Sequence, residues 1–391
     1  MVIPDSILSS TEFQMSLLMF VALAGYLIAY RINQSAVVGI ILAGILVGPS
    51  LLGLITYTDF VSTLAHLAAV VLLFTIGLEF NIKDIAKGRY FVIALFGVVV
   101  PALGGFALAS LFDFDFKASV FIGTALTATS IAITANVLRE MGKLQSETAR
   151  AIIGAAVIDD ILALLALSVS EGLVLGDISF ISIVITTAKA ITFIGLGILI
   201  GKFVLNKLIV RIDQTKIGHK YPESIFIFAI MVAFAYAMAA VLVGLSAIVG
   251  SFLAGASFAG VKLNRGNIFK EGAEHLQIIF ASVFFVSLGV IIDLHYVTLN
   301  MLWFAVALSV VAIITKVFGC GLPALLQRMS FKDSLIIGTG MVPRGEVAMI
   351  IALIGLNQGL IGQGTYSAVI LMSLITTIRP PLVLRNWLFK R

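Results

Sequence analysis

The chain has few of the residues from which soluble domains and metal centres are built. Of its 391 residues 12% are charged, one is cysteine (Cys320) and four are histidine. About 25% of a typical soluble domain is charged. A single cysteine excludes an internal disulfide and a cysteine-based metal cluster. The excess of basic residues lies in short loops and forms no domain face, which excludes a nucleic-acid-binding surface.

Hydrophobic residues, by contrast, make up 60% of the chain, and 35 residues are glycine. No soluble core could bury so much apolar surface, so lipid must be the solvent for most of it. Asp5 and Glu12 stand where a signal peptide would be basic, and no small-residue cleavage site follows them. The sequence therefore predicts an all-α, multi-pass integral membrane protein without a signal peptide.

Apolar stretches of membrane-crossing length predict about thirteen transmembrane helices. Their predicted ranges are 12–30, 35–55, 60–80, 90–112, 117–139, 147–170, 181–210, 222–243, 245–261, 274–291, 296–326, 333–356 and 363–388. The eighth and ninth spans are divided near Val243–Leu245. This arrangement makes the whole chain, 1–391, a single transmembrane domain.

The basic residues are unevenly distributed over the loops between these spans. Lys117 alone lies in a loop after an even-numbered span, and Lys189, Lys316 and Arg344 lie within spans. All other basic residues lie in loops after odd-numbered spans or near the C-terminus. Because basic loops remain in the cytoplasm, we predict an outside N-terminus and a cytoplasmic C-terminus in the plasma membrane.

The two halves of the chain also resemble each other. Segments 38–44, 74–77 and 122–124 recur at 249–255, 286–289 and 337–339, at offsets of 211, 212 and 215 residues. The offset covers an odd number of spans, so the two copies must have opposite orientations in the membrane. Inverted repeats, here about 12–170 and 222–388 with a linker helix at 181–210, are typical of secondary transporters that work by alternating access.

Few ionisable residues lie within the predicted spans. The sixth span carries Asp159 and Asp160, and the eleventh carries Lys316. A charge at the bilayer centre costs at least ~2.5 kcal/mol, so each of these residues is a candidate functional residue. Two adjacent carboxylates need a counter-charge, a bound cation or a proton, and alternation between cation and proton is the chemistry of exchange. Lys316 is the predicted partner of one carboxylate, with a static ion pair as the alternative.

The fifth and twelfth spans correspond in the repeat, and both contain hydroxyl-rich or helix-breaking segments. These segments contain Thr127, Thr129 and Ser130 in the fifth span, and Pro343, Arg344 and Glu346 in the twelfth. Helices interrupted at corresponding places indicate a transporter's binding site. We expect their oxygens to be ligands of an alkali cation, and Arg344 and Glu346 to neutralise the half-helix dipoles. Hydrogen bonding of the hydroxyls within their own helix is the alternative.

At these residues the chain resembles the cation–proton antiporter-2 family of sodium/proton and potassium/proton exchangers, over essentially its whole length. The resemblance is carried by segments 39–49, 72–80, 127–130, 158–160, 284–293 and 343–346, and by Lys316. It implies a homodimer in membrane lipid. Each protomer would have a mobile core of about 90–170 and 296–388 and a dimerisation domain of about 12–80 and 222–291. The fifth and twelfth helices would cross as broken helices in that core.

The resemblance also implies roles for individual residues. Asp160 would bind the cation and carry the proton, and Asp159 would share the cation site and pair with Lys316. Members of the family with adjacent aspartates are electrogenic. Many potassium-efflux relatives continue into a nucleotide-binding domain, and none is expected in this chain, which ends at Arg391.

The sequence therefore predicts a secondary transporter, not an enzyme, that exchanges sodium or lithium for protons and needs no cofactor. Potassium/proton exchange is the alternative within this class. Sodium-coupled uptake of an organic anion would need basic or neutral groups at the membrane midplane. An ion channel needs no proton-linked flux, and an intramembrane protease carries its two aspartates on separate helices.

Overall fold

The computed structural model describes residues 10–80, 88–175, 180–215, 220–221, 223–261, 263, 266–291, 295 and 298–389. Helices joined by turns make up this part of the chain. The helices of the first half are α1 (Thr11–Arg31), α2 (Ala36–Val47), α3 (Asp59–Leu78), α4 (Gly88–Leu111), α5 (Phe116–Ala125), α6 (Ile131–Glu140) and α7 (Glu147–Leu175).

The second half begins with a long helix that a π-helical turn interrupts, and it then repeats the order of the first half. Its helices are α8 (Phe180–Ile200), α9 (Asn206–Gln214), α10 (Glu223–Leu242), α11 (Ala247–Phe258), α12 (Gly266–Val290), α13 (Leu299–Leu326), α14 (Phe331–Gly340), α15 (Glu346–Asn357) and α16 (Gln363–Val383). A π-helical turn, Gly201–Leu205, joins α8 to α9, and a second one, Leu384–Leu388, follows α16.

Each of the thirteen predicted spans corresponds to one helix or to consecutive helices. Within the described residues, nine helices are long and apolar enough to cross a membrane, and four apolar segments are shorter. The prediction of an all-α multi-pass membrane protein is thus confirmed. The second span was predicted too long, because α2 ends at Val47, where Gly48 and Pro49 stop the helix. The predicted division near residue 244 is correct, since Gly244 has a φ of +88° that breaks the helix.

The helices pack in two groups. The core group consists of α4–α7 and α13–α16, and the scaffold group consists of α1–α3 and α10–α12. Helices α8 and α9 connect the first half to the second and contact α7 on one side and α10 and α11 on the other. Between the groups, α6 is the half-helix that contacts both α2 and α3.

Close helix crossings recur in both halves of the chain. Glycine permits each of them, because a Cβ atom there would collide with the facing backbone. The matching pairs are Gly25–Gly39 with Tyr236–Gly250, Gly44–Gly289 with Gly255–Gly77, and Gly105–Gly123 with Gly321–Gly338. Partners within each match are separated by 211 to 216 residues along the chain. The internal repeat is therefore a repeat of contacts as well as of sequence.

The two broken spans also begin alike. Asp115 caps α5 by accepting a hydrogen bond from the backbone N–H of Ala118 at 2.8 Å. Ser330, which lies 215 residues later, caps α14 by accepting from the N–H of Asp333 at 3.0 Å. Side-chain caps of this kind define where a helix starts, so both half-helices reach the membrane interior in equivalent register.

Candidate cation and proton site

The site is built where two helices stop inside the protein. Helix α5 ends at Ala125 and α6 begins at Ile131, while α14 ends at Gly340 and α15 begins at Glu346. The intervening segments, 126–130 and 341–345, meet through a backbone hydrogen bond from Ser130 N–H to the Pro343 carbonyl at 2.8 Å. The hydroxyl of Thr129 donates to the Met341 carbonyl at 3.3 Å. The two predicted broken helices thus exist and cross at their breaks.

Asp159 and Lys316 form an ion pair beside this crossing. The Lys316 Nζ atom lies 2.8 Å from Asp159 Oδ1, and both side chains are fully buried. The ammonium also donates to the carbonyls of Gly97 at 2.6 Å and Thr127 at 2.7 Å. Three acceptors match the three N–H donors of a lysine, so the charge is both paired and hydrogen-bonded, as burial requires.

A second buried cation contacts the same break. Arg344 is fully buried, and its Nη1 donates to the Ala128 carbonyl at 2.5 Å. The Arg344 carbonyl in turn accepts from the hydroxyls of Ser373 and Thr377, at 3.1 and 2.6 Å. Lys316 and Arg344 therefore both donate hydrogen bonds to backbone carbonyls just after the C-terminal end of half-helix α5. This end of a helix is negative, so two cations there fit the role in dipole neutralisation expected for Arg344. Glu346 begins α15, and its side chain lies outside the described residues.

Asp160 points to a different environment from its neighbour. It lines a cavity of about 20 Å³ together with residues of both breaks and of α11. The other lining residues are Thr129, Ser130, Ile131, Ser246, Ile248, Val249, Gly345 and Val347. A volume of this size holds one water molecule or one small ion. Pockets for organic molecules are at least ten times larger, so the cavity does not suit an organic anion.

The predicted hydroxyl ligands divide into two sets. Thr129 and Ser130 line the cavity of Asp160. The Thr127 hydroxyl donates to the Thr124 carbonyl at 2.7 Å, which is the local hydrogen bonding considered as the alternative. Thr127 instead contributes its carbonyl to Lys316.

Sequence reasoning missed two contributions to the site. The Gly97 carbonyl binds Lys316, but every residue has a carbonyl, so no sequence signal marks this one. Ser246, Ile248 and Val249 come from the start of α11, a helix that carries no charge and was assigned to the other domain. The internal repeat, in which segment 249–255 matches segment 38–44, was the one sequence signal near these three residues.

Comparisons with known proteins show which family the chain belongs to. The family model described as "Sodium/hydrogen exchanger, transmembrane" matches residues 17–390. The chain belongs to this family. The exchanger is therefore a transporter by family, and the prediction of sodium/proton antiport is confirmed at this level.

Several characterised relatives are similar over nearly their full length. The exchanger is 33% identical to the Na⁺/H⁺-K⁺ antiporter GerN of Bacillus cereus, with 95% of each chain covered. It is 31% identical to the high-affinity Na⁺/H⁺ antiporter NhaS3 of Synechocystis, covering 96% of this chain and 89% of that one. The sodium proton antiporter MjNhaP1 of Methanocaldococcus jannaschii has the same fold, with a TM-score of 0.68 at 16% identity and 96% and 97% coverage.

Proposed function

We propose that the exchanger binds sodium and protons alternately at Asp160. The observation that carries this proposal is a carboxylate in the wall of a cavity that admits a single small ion, within a helix that spans the membrane. The oxygens of Thr129 and Ser130 and of the adjacent break would complete the coordination of a hard cation. A proton and a sodium ion cannot both neutralise the same carboxylate oxygen, so the binding of one expels the other.

Asp159 and Lys316 would make the exchange electrogenic. With no sodium bound, Asp159 pairs with the Lys316 ammonium, and Asp160 would carry a proton. Sodium bound between Asp159 and Asp160 would replace Lys316 as the counter-charge of Asp159. The proton on Asp160 would leave as sodium binds, and Lys316, without its carboxylate partner, would release a second proton and become neutral. More protons than sodium ions would therefore move in each cycle.

The movement would be that of the core group against the scaffold group. The resemblance to the cation–proton antiporter-2 family supports this assignment, with a homodimer held through the scaffold group. The charge distribution over the loops supports a plasma-membrane protein with its N-terminus outside.

Potassium/proton exchange is the second candidate. It is favoured by the similarity to GerN, a relative named as an antiporter of both sodium and potassium. Sodium remains the first candidate, because the family model that matches the chain is that of sodium/hydrogen exchangers.

The experiment that tests the proposal uses purified protein in proteoliposomes with a pH-sensitive dye in the lumen. Sodium, lithium and potassium salts are added in turn, with and without an imposed membrane potential. We expect proton movement with sodium that responds to the potential and disappears in Asp160→Asn. A larger response to potassium would favour the second candidate, and flux that persists in Asp160→Asn would refute the assignment.

A further inference from the structure

A set of polar contacts joins α6 of the core group to three helices of the scaffold group. Ser35 before α2 donates to Glu140 at 2.9 Å, Arg139 pairs with Glu79 after α3 at 3.0 Å, and Gln277 of α12 donates to Asn136 at 3.3 Å. We call these three contacts the clasp. They lie toward the end of α6 that the loop charges place in the cytoplasm, so α6 cannot leave the scaffold group there without breaking them.

Within the clasp, Glu140 takes the place of a helix cap. Ser35 is the N-cap residue of α2, but its side chain accepts no hydrogen bond from the first turn of that helix. Its hydroxyl donates to Glu140 instead, and the carboxylate also bonds to the backbone N–H groups of Ala36 and Val37. A carboxylate at a helix N-terminus satisfies the unpaired N–H groups and interacts favourably with the helix dipole. Helix α2 of the scaffold is thus capped by a residue of the core.

The internal repeat allows Ser35 to be compared with its equivalent in the second half of the chain, Ser246. Ser246 is the N-cap residue of α11 and lies 211 residues after Ser35, the offset that also relates α2 to α11. Its hydroxyl accepts from the N–H of Ile248 at 3.1 Å, so Ser246 caps its own helix. It also lines the cavity of Asp160. Of the two equivalent serines, Ser246 therefore caps its own helix and Ser35 leaves that place to Glu140. The inverted repeat places the two serines toward opposite sides of the membrane.

We propose that Ser35 and Glu140 form a capping switch in the cytoplasmic gate of the exchanger. Glu140 caps α2 while the cytoplasmic side is closed. When the core moves away, the Ser35 hydroxyl turns to cap α2 itself, as Ser246 already does for α11. Because one cap replaces the other, the N–H groups of α2 stay satisfied in both states. This inference rests on the alternating access of the proposed function.

A cavity next to the clasp provides a place for the opening to begin. It has a volume of about 400 Å³ and is lined by residues of α1, α2, α6 and α12, among them Ile40, Glu140 and Ala281. Ile40 itself is buried, with 4% of its surface exposed. Separation of α6 from α2 would extend this cavity and expose Ile40 to the cytoplasm.

The test measures labelling of single cysteines on the two sides of the membrane. In a Cys320→Ser background, Ile40→Cys reports the cytoplasmic side, and Val249→Cys reports the cavity of Asp160. Glu140→Gln keeps the size of the side chain and removes the charge that favours the cap. We expect a membrane-impermeant maleimide to label residue 40 from the cytoplasmic side about ten times faster in this variant. Loss of a hydrogen bond to a charged group shifts the equilibrium between closed and open states by about this factor. Labelling of residue 249 from outside should fall in parallel.

Glu147→Gln is the matched control. Glu147 pairs with Arg89 at 3.0 Å toward the same side of the membrane, but both residues belong to the core group, so neither labelling rate should change. If Glu140→Gln does not fold, Arg139→Gln takes its place, because it breaks the contact with Glu79. It should likewise raise the labelling rate of residue 40 and lower that of residue 249. Unchanged rates, or a rise at both reporters, would overturn the switch. A different result would refute the proposed function, namely the absence of sodium-dependent proton flux in the unsubstituted protein.

Discussion

Lys316 and Asp159 form a fully buried ion pair, with Nζ 2.8 Å from Oδ1. Breaking a buried ion pair by removing one partner leaves an uncompensated charge, which typically costs about 3–5 kcal/mol. Lys316→Met should therefore lower the melting temperature of the purified protein in detergent strongly. The double variant Asp159→Asn/Lys316→Met removes both charges and should recover most of the loss. A single variant as stable as the unsubstituted protein would show that the pair is not closed in the folded state.

The hydroxyls in the α5–α6 break offer a second residue-scale comparison. Thr129 lines the cavity of Asp160, whereas the Thr127 hydroxyl is held by the Thr124 carbonyl. Thr129→Val should raise the sodium KM several-fold, and Thr127→Val should change it little, since the carbonyl that binds Lys316 remains. Sodium-dependent proton flux measured over a range of sodium concentrations decides between them. Equal effects of the two substitutions would contradict the division of roles.

Which residues of the site could be predicted from the sequence depended on the chemistry of their side chains. Asp159, Asp160, Lys316 and Arg344 were predictable because a charge within a span is costly and needs a reason. Contacts made by backbone carbonyls, such as that of Gly97, carry no such signal. The contact between Ser35 and Glu140 joins residues 105 positions apart and depends on how two helix groups pack. It was found in the structure alone.

At the scale of elements, glycine determines how closely helices cross. A Cβ atom at Gly77 would collide with the Phe252 carbonyl of α11, so Gly77→Ala should push α3 from α11 and cost about 1–3 kcal/mol. Gly195 in α8 faces open space, and Gly195→Ala should be neutral or stabilising by up to ~1 kcal/mol. Thermal unfolding of the two variants in detergent provides the measurement. Equal melting temperatures would argue against the α3–α11 crossing.

Predicting the elements themselves from sequence was uneven for physical reasons. The breaks in the fifth and twelfth spans were predictable because Pro343 removes a backbone donor and because the two spans correspond in the repeat. The end of α2 was predicted too late, although Gly48 and Pro49 stood in the sequence. Apolar residues 51–55 follow these two, and hydropathy alone cannot distinguish an apolar turn from the last turns of a helix.

At the scale of the whole molecule, the uneven loop charges predict one orientation. Lys143 follows α6 and Lys117 lies near the start of α5, and both side chains are exposed. In a Cys320→Ser background, Lys143→Cys should react with an impermeant maleimide from the cytoplasm and Lys117→Cys from outside. Reaction of both from one side would mean that the fifth span does not cross the membrane. The opposite pattern would show that the predicted orientation is inverted and that the clasp lies toward the outer face of the membrane.

The central claim is that sodium and protons compete for Asp160, and binding of radioactive sodium to the purified protein at several pH values tests it most directly. The apparent Kd for sodium should rise on the acid side by about tenfold for each pH unit and for each proton that sodium displaces. It should therefore rise about a hundredfold per pH unit where Asp160 and Lys316 both release a proton. Binding should be lost in Asp160→Asn and retained in Glu147→Gln. Sodium binding that survives in Asp160→Asn, or that does not change with pH, would contradict the account.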